Sequence, residues 1–359
     1  MTMATVRVLV VDDSVTVRKH LCAILGSDPE IVVAGEAGDG RRAIELCREL
    51  RPDVVTMDMM LPLMSGLAAT EHIMAHFPTP ILIVSSSTNR GELFKTYDAL
   101  AAGAVDVIEK LRGDEPDGEW ERQWLATVKL VSRIKVITHP RARLVGLERP
   151  RSPGALAAPS ISGRPRCGVV AVGASTGGPR AISELLRSLP REFFLPVLIV
   201  LHIGEPFGIA FAEWLAGQTG RRVDYAQDGE PFASMQGRVV MAPPSRHLLV
   251  REGRLRLTRD AERHSCRPSV DVLFESMARE FGAAVAACLL TGMGRDGAAG
   301  LLEIRRAGGV TIAQDEATSV VYGMPREAVL AGAAERVLPL AEIGPTIASL
   351  AAPNRGMRP

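Results

Sequence analysis

The sequence offers little for a covalent framework: five cysteines, Cys22, Cys47, Cys167, Cys266 and Cys288, are scattered, odd in number and without a Cys-x-x-Cys pair. That spacing argues against a disulfide scaffold or a zinc site and fits a reducing cytosol. Surplus charge is also lacking, since 42 Lys and Arg against 41 Asp and Glu leave a formal charge of +1. No long-range field would draw nucleic acid or anionic lipid, so neither is an expected partner. No apolar run approaches the ~18 residues of a membrane span. The opening MTMATVRVLVVDDS meets an acidic pair too soon for a signal peptide. The expectation is a cytoplasmic protein, neither exported nor inserted. No short-period repeat is visible, which sets a solenoid aside.

What is present is βα alternation, twice. A chain of 359 residues should hold two domains, because a single core rarely grows past ~250 to 300 residues. Apolar residues at 47% and charged residues at 23% are those of ordinary globular protein. From Val6 to Lys110, the runs VRVLVV, IVVAGEA, VVTMD, ILIVSSS and VDVIEK alternate with amphipathic segments such as RRAIELCREL. A basic stretch rich in Pro, Gly and Ser follows and reads as a linker. The alternation then resumes with CGVVAVGAS, PVLIVLHIG, RVVMAP, VAACLLTGMG and VTIAQD, and with a hairpin-like insertion around Leu248 to Leu257. The fold class is α/β, two doubly wound parallel sheets, with function at the carboxyl ends of the strands.

In the first half the chemistry lies in acidic residues. Asp12 and Asp13 follow VRVLVV and Asp58 follows VVTM, so all three fall on one edge of the sheet. Three carboxylates that close repel one another unless a cation neutralises them. Oxygen-only ligands at a small open site favour Mg²⁺, which bridges a carboxylate to a phosphoryl group. Ser85 and Lys110 end the next two strands and would suit an aspartyl phosphate at Asp58. Any one of these residues reads as well as a helix cap; the five together favour function.

LVVDDS, MDMMLPLMSGL, VSSST and AAGAVDVIEK resemble the receiver domain of bacterial response regulators, over residues 5–125. The resemblance implies a flavodoxin-like fold and a phosphate accepted at Asp58 from a histidine kinase. It implies Mg²⁺ on Asp13, Asp58 and the Met60 carbonyl, with Asp12 reaching it through water, and Ser85 and Lys110 in the switch positions. Two departures stand out: Leu111 replaces the usual proline after the lysine, and Val107 stands where an aromatic residue is usual.

In the second half, Gly173-Ala174-Ser175-Thr176-Gly177 lies between a strand and a helix. A phosphate cradle is one reading. The dinucleotide fingerprint, however, wants glycine where Ser175 stands, and a P-loop wants Gly-Lys-Ser/Thr where Gly177-Gly178-Pro179 follows. G-x-S-x-G matches a nucleophile elbow, with a plain tight turn as the alternative. A serine needs an imidazole to take its proton and a carboxylate to fix that imidazole. The candidate bases are His202, His247 and His264. His202 closes PVLIVLH and Asp296 lies just past VAACLLTGMG, so Ser175, His202 and Asp296 are expected on one sheet edge.

VGASTGGP, APPSRHLLV, RPSVDVLFESMA, LLTGMGRDGAAGL and AQDEATSVVYGMPREAV resemble the catalytic domain of the chemotaxis protein-glutamate methylesterases, the CheB family. With this resemblance the expected domains are a receiver at 5–125, a linker at 126–163 and a three-layer αβα methylesterase domain at 164–352. It implies a phosphorylation-regulated hydrolase of γ-glutamyl methyl esters on methyl-accepting chemoreceptors, with glutamine deamidation in many members. Ser175 is then the nucleophile, His202 the general base and Asp296 its orienter, with the backbone N–H groups of Thr176 and Met293 on the oxyanion. The esterase step needs no cofactor. The family usually reads Gln-His-Met-Pro where this chain has Leu201-His202-Ile203-Gly204. Two other classes compete: a DNA-binding regulator, which lacks a basic recognition helix here, and a non-catalytic adaptor that keeps the fold.

Overall fold

The computed structural model describes residues 5–86, 89–111, 118–134, 136 and 167–351. Five strands form the first sheet: β1 (Val6–Val11), β2 (Ile31–Ala37), β3 (Val54–Asp58), β4 (Ile81–Ser85) and β5 (Asp106–Glu109). They pair in the order β2-β1-β3-β4-β5, all parallel. Every residue of β3 and β4 is buried, as expected of β-branched runs with helices on both faces. The strand order reverses between β1 and β3, which opens a crevice at their carboxyl ends.

The second sheet draws on β6 (Val169–Ala174), β7 (Val197–Leu201), β8 (Val223–Tyr225), β9 (Val239–Met241), β12 (Val285–Leu289), β13 (Val310–Gln314) and β14 (Arg336–Leu338). Its parallel order is β14-β13-β12-β6-β7-β9-β8. The chain runs outward from β6 to one side and returns through β12 to the other, so the switch point lies beside β6. β10 (His247–Arg251) and β11 (Arg254–Thr258) form the expected antiparallel hairpin, with Leu248 opposite Leu257. The three-residue edge strands β8 and β14 are additions to the sequence reading.

One helix illustrates how the elements form. Ser269 caps Val270–Phe281 by accepting from the Val272 N–H, satisfying a donor the helix cannot satisfy itself. Val270, Leu273, Phe274 and Met277 recur at helical spacing and are fully buried. Each such side chain contributes ~1.5 to 3 kcal/mol by leaving water, and Phe274→Ala would cost about 3 to 5 kcal/mol.

The helix Glu119–Val131 crosses the expected end of the receiver at Leu125, because Trp120, Trp124, Val128 and Val131 bury one stripe against the first sheet's core. The linker expected at 126–163 therefore begins as helix. From 137 to 163 it lies outside the described residues.

The two halves meet along the helix Arg90–Ala102. Its Tyr97, fully buried, packs its ring at 5.3 Å from Phe211 and 5.6 Å from Trp214 and donates its hydroxyl to the Phe207 carbonyl. Asp98 accepts from Trp214 Nε1 at 2.8 Å and from Gln218 at 3.2 Å.

Candidate active site

Ser175 follows β6 directly, and the glycines around it have separate jobs. A Cβ on Gly173 would lie 2.3 Å from Val270, so its bareness lets the helix Val270–Phe281 approach the strand. Gly177 has φ +77°, in the left-handed region, and a Cβ there would lie 2.6 Å from Val320. The chain can therefore turn sharply into the helix Gly178–Ser188. Ser175 N–H donates to the Thr291 carbonyl at 3.0 Å, tying the turn to the loop after β12.

His202 follows the neighbouring strand β7, and its N–H donates to the Ala174 carbonyl at 3.0 Å. Its Nε2 lies 2.9 Å from Asp296 Oδ2, and its Nδ1 lies 3.7 Å from Cys266 Sγ. A carboxylate on Nε2 fixes the proton there and leaves Nδ1 with the lone pair. Asp296, 2% exposed, also accepts from Ser269 Oγ at 2.8 Å, Val270 N at 2.7 Å and Asp271 N at 3.1 Å. It thus rests on the N-terminus of the helix that Ser269 caps. Burial alone would raise its pKa, but the bonds from His202, Ser269 and Asp271 outweigh burial and lower it. For His202, burial works against the charged form; the bond to Asp296 and then Cys266 prevail and push its pKa up to about 9.

Ser175, His202 and Asp296 thus gather at the carboxyl ends of β6, β7 and β12. Among the described residues the Ser175 hydroxyl makes no hydrogen bond to His202. The backbone N–H groups of Thr176 and Met293 donate to no acceptor among the described residues, and Met293 is 50% exposed. The other two candidate bases stand apart. His247 is buried, accepting from Ser269 N at Nδ1 and facing the Ala261 carbonyl at Nε2. His264 pairs with Asp271 at 3.1 Å and Arg295 at 3.2 Å.

Three participants escaped the sequence reading. Ser269 precedes a helical period within RPSVD, and that cap signal could have found it. Cys266 reaches His202 from a remote loop. Asp106, from β5 of the first half, accepts from the Thr176 hydroxyl at 3.1 Å. Burial raises the Asp106 pKa, against the bonds from Val107 and Thr176. Asp106 and Val107 also wall a cavity of about 300 Å³ shared with His202, Cys266 and Arg267.

At the first sheet's edge, donor atoms of Asp12, Asp13 and Asp58 lie within 4.8 Å of one another. Lys110 Nζ lies 2.8 Å from Asp12 Oδ2 and 3.0 Å from Asp58 Oδ2. Burial raises the Asp58 pKa; Lys110 opposes this and Asp12 adds to it. Ser85, buried at the end of β4, donates its hydroxyl to Glu92 Oε1 at 2.7 Å. Leu111 packs into the same core as Val320 from the second half.

Comparison with known proteins gives two family matches: the CheB methylesterase model over residues 170–347 and the response regulator receiver domain model over 8–115. A protein-glutamate methylesterase/protein-glutamine glutaminase of Nitrosospira multiformis is 43% identical over 350 residues, 97% of each chain. One from Anaeromyxobacter dehalogenans is 44% identical, covering 94% of this chain and 95% of its own. The crystal structure of the Thermotoga maritima CheB methylesterase catalytic domain is 33% identical, with TM-score 0.49, over 51% of this chain and 98% of that one.

Proposed function

The chain belongs to the CheB methylesterase family, and from that premise we propose that it is a receiver-regulated protein-glutamate methylesterase whose chemistry is carried by Ser175, His202 and Asp296. Its substrates are γ-glutamyl methyl esters on the cytoplasmic helices of methyl-accepting chemoreceptors, and it deamidates receptor glutamines at the same site. The observation that carries the residue assignment is the His202–Asp296 contact at 2.9 Å, on the strand end next to Ser175.

In this reading Asp296 keeps the proton on Nε2, so Nδ1 accepts the Ser175 proton as the hydroxyl attacks the ester carbonyl. The N–H groups of Thr176 and Met293 receive the oxyanion. Methanol departs with the proton from Nδ1, and water then hydrolyses the acyl-enzyme by the reverse proton path. Because His202 has a pKa pushed up to about 9, methanol release climbs with pH below that value, where the neutral base is scarce.

Control comes from the first half. Asp58 accepts phosphate from a histidine kinase. Asp13, Asp58 and the Met60 carbonyl would hold Mg²⁺, with Asp12 beside them. The donor set supports this: three carboxylates converge, and the buried Asp12 Oδ2 has Lys110 Nζ at 2.8 Å. When bound, the ion neutralises charge between carboxylate and phosphoryl oxygens. The unphosphorylated receiver covers the esterase edge through Asp106 and the helix Arg90–Ala102, and phosphorylation shifts the equilibrium toward an open arrangement. Among the described residues no helix is long and apolar enough to cross a membrane.

Methanol release from methylated receptor, with and without a small phosphodonor, tests the reading. The wild-type chain should release methanol faster with the donor, and Ser175→Ala should release none. Equal rates for the two chains would remove Ser175 from the mechanism, and a wild type that releases none would favour the adaptor class.

A further inference from the structure

The Cys266 thiol has no part in the ester chemistry, yet it faces the one imidazole nitrogen that chemistry needs. Cys266 Sγ stands 3.7 Å from His202 Nδ1, and the donor atoms of His202, Cys266 and Asp296 all lie within 4.8 Å of one another. This group was invisible as a spacing motif, because Cys266 and His202 belong to separate loops joined only by the fold.

Three features of the group suit a soft divalent cation. Zinc takes imidazole nitrogen at ~2.0 to 2.1 Å and thiolate sulfur at ~2.3 Å, so tetrahedral ligands of these two kinds stand about 3.5 Å apart; the observed separation is close to that. The far ring nitrogen is already held by Asp296 at 2.9 Å, the outer carboxylate that fixes and strengthens a metal-binding histidine. Both donors also line the cavity of about 300 Å³, which leaves room for water in the remaining coordination positions. We propose that His202 Nδ1 and Cys266 Sγ form an inhibitory zinc site, with Asp296 as its outer partner and the Asp106-walled cavity as its entrance.

Binding would displace the thiol proton to solvent, together with the Nδ1 proton wherever His202 is charged, and occupy the Nδ1 lone pair. That same lone pair must accept the Ser175 proton, so zinc and turnover exclude one another. The inhibition therefore rests on the esterase reading, whereas the binding does not. Three of the other four cysteines are buried, and Cys22 is half-buried beside Glu36 with its pKa pushed up to about 11, burial being the main cause.

The test uses the full chain in excess Mg²⁺, so that the Asp12, Asp13 and Asp58 cluster is occupied. Co²⁺ serves as a spectroscopic probe and Zn²⁺ as the inhibitor. The wild type should develop a near-ultraviolet thiolate-to-cobalt band, and Zn²⁺ should suppress methanol release. In Cys266→Ser the band should vanish, and the Zn²⁺ concentration for half-inhibition, measured against that variant's own zinc-free rate, should rise at least ~10-fold. A wild type without the band, or a variant with the same band or the same zinc sensitivity, would overturn the site. A second measurement needs no variant: Zn²⁺ should slow iodoacetamide alkylation of Cys266 and leave Cys22 unchanged, and equal slowing or none would also overturn it. Should methanol release be absent altogether, the cobalt band still reports on the site, so failure of the esterase reading is distinguishable.

Discussion

Asp58 and Asp296 occupy equivalent places in two parallel sheets, each buried near a carboxyl edge and each facing a basic side chain, yet they are held in opposite ways. Asp296 accepts four hydrogen bonds, from His202, Ser269, Val270 and Asp271, and its pKa falls despite burial. Asp58 has Lys110 and the Met60 N–H, with Asp12 repelling it, and its pKa rises. A buried carboxylate with its lone pairs satisfied is stable as an anion and serves to orient a neighbour. One left short of donors beside a second carboxylate keeps lone pairs free for a cation, which the role proposed for Asp58 requires. The local supply of donors, more than burial itself, separates an orienting acid from a reactive one.

Substitutions can break this contrast. Ser175→Ala should have the largest effect, lowering methanol release on the order of 10⁶-fold. Asp296→Asn should keep the fold of the site but leave His202 in the wrong tautomer, a loss on the order of 10⁴-fold in kcat; a loss under tenfold would show that Asp296 does not orient the base. Asp58→Asn should erase the response to a phosphodonor while the unstimulated rate stays put, which a stimulated-to-basal ratio of one would record. Ser269→Ala removes one donor from Asp296. A hydrogen bond to a charged group contributes about 1.5 to 3 kcal/mol, so kcat should fall roughly 10- to 100-fold, and an unchanged rate would show that the remaining donors suffice. Asp106→Ala should have the smallest effect. Losing its bond to the Thr176 hydroxyl, about 1 kcal/mol, should raise the unphosphorylated rate about fivefold; no increase would show that Asp106 does not hold the receiver over the site.

Much of this was readable in the residues themselves. β-branched runs mark the buried strands, and the expectation of function at carboxyl edges singles out Asp58, Ser175 and His202, each of which stands at the end of its strand. The misses share a cause. Cys266 meets His202 through a loop, Asp106 meets Thr176 across the two halves, and neither contact leaves a periodic trace. The helix Glu119–Val131 carries no prediction of its own, because the basic, proline-rich composition that follows hides the stripe of Trp124, Val128 and Val131. The edge strands β8 and β14 are three residues each, too short for alternation to register.

The central claim is that His202, turned by Asp296, draws the proton from Ser175. A serine-directed phosphonate tests that coupling without receptor or kinase, its adduct being located by mass spectrometry in the full chain. The account predicts a single adduct on Ser175 in the wild type that is lost in His202→Gln. Labelling of Ser175 at the same rate in both chains, or an adduct on another residue, would contradict it.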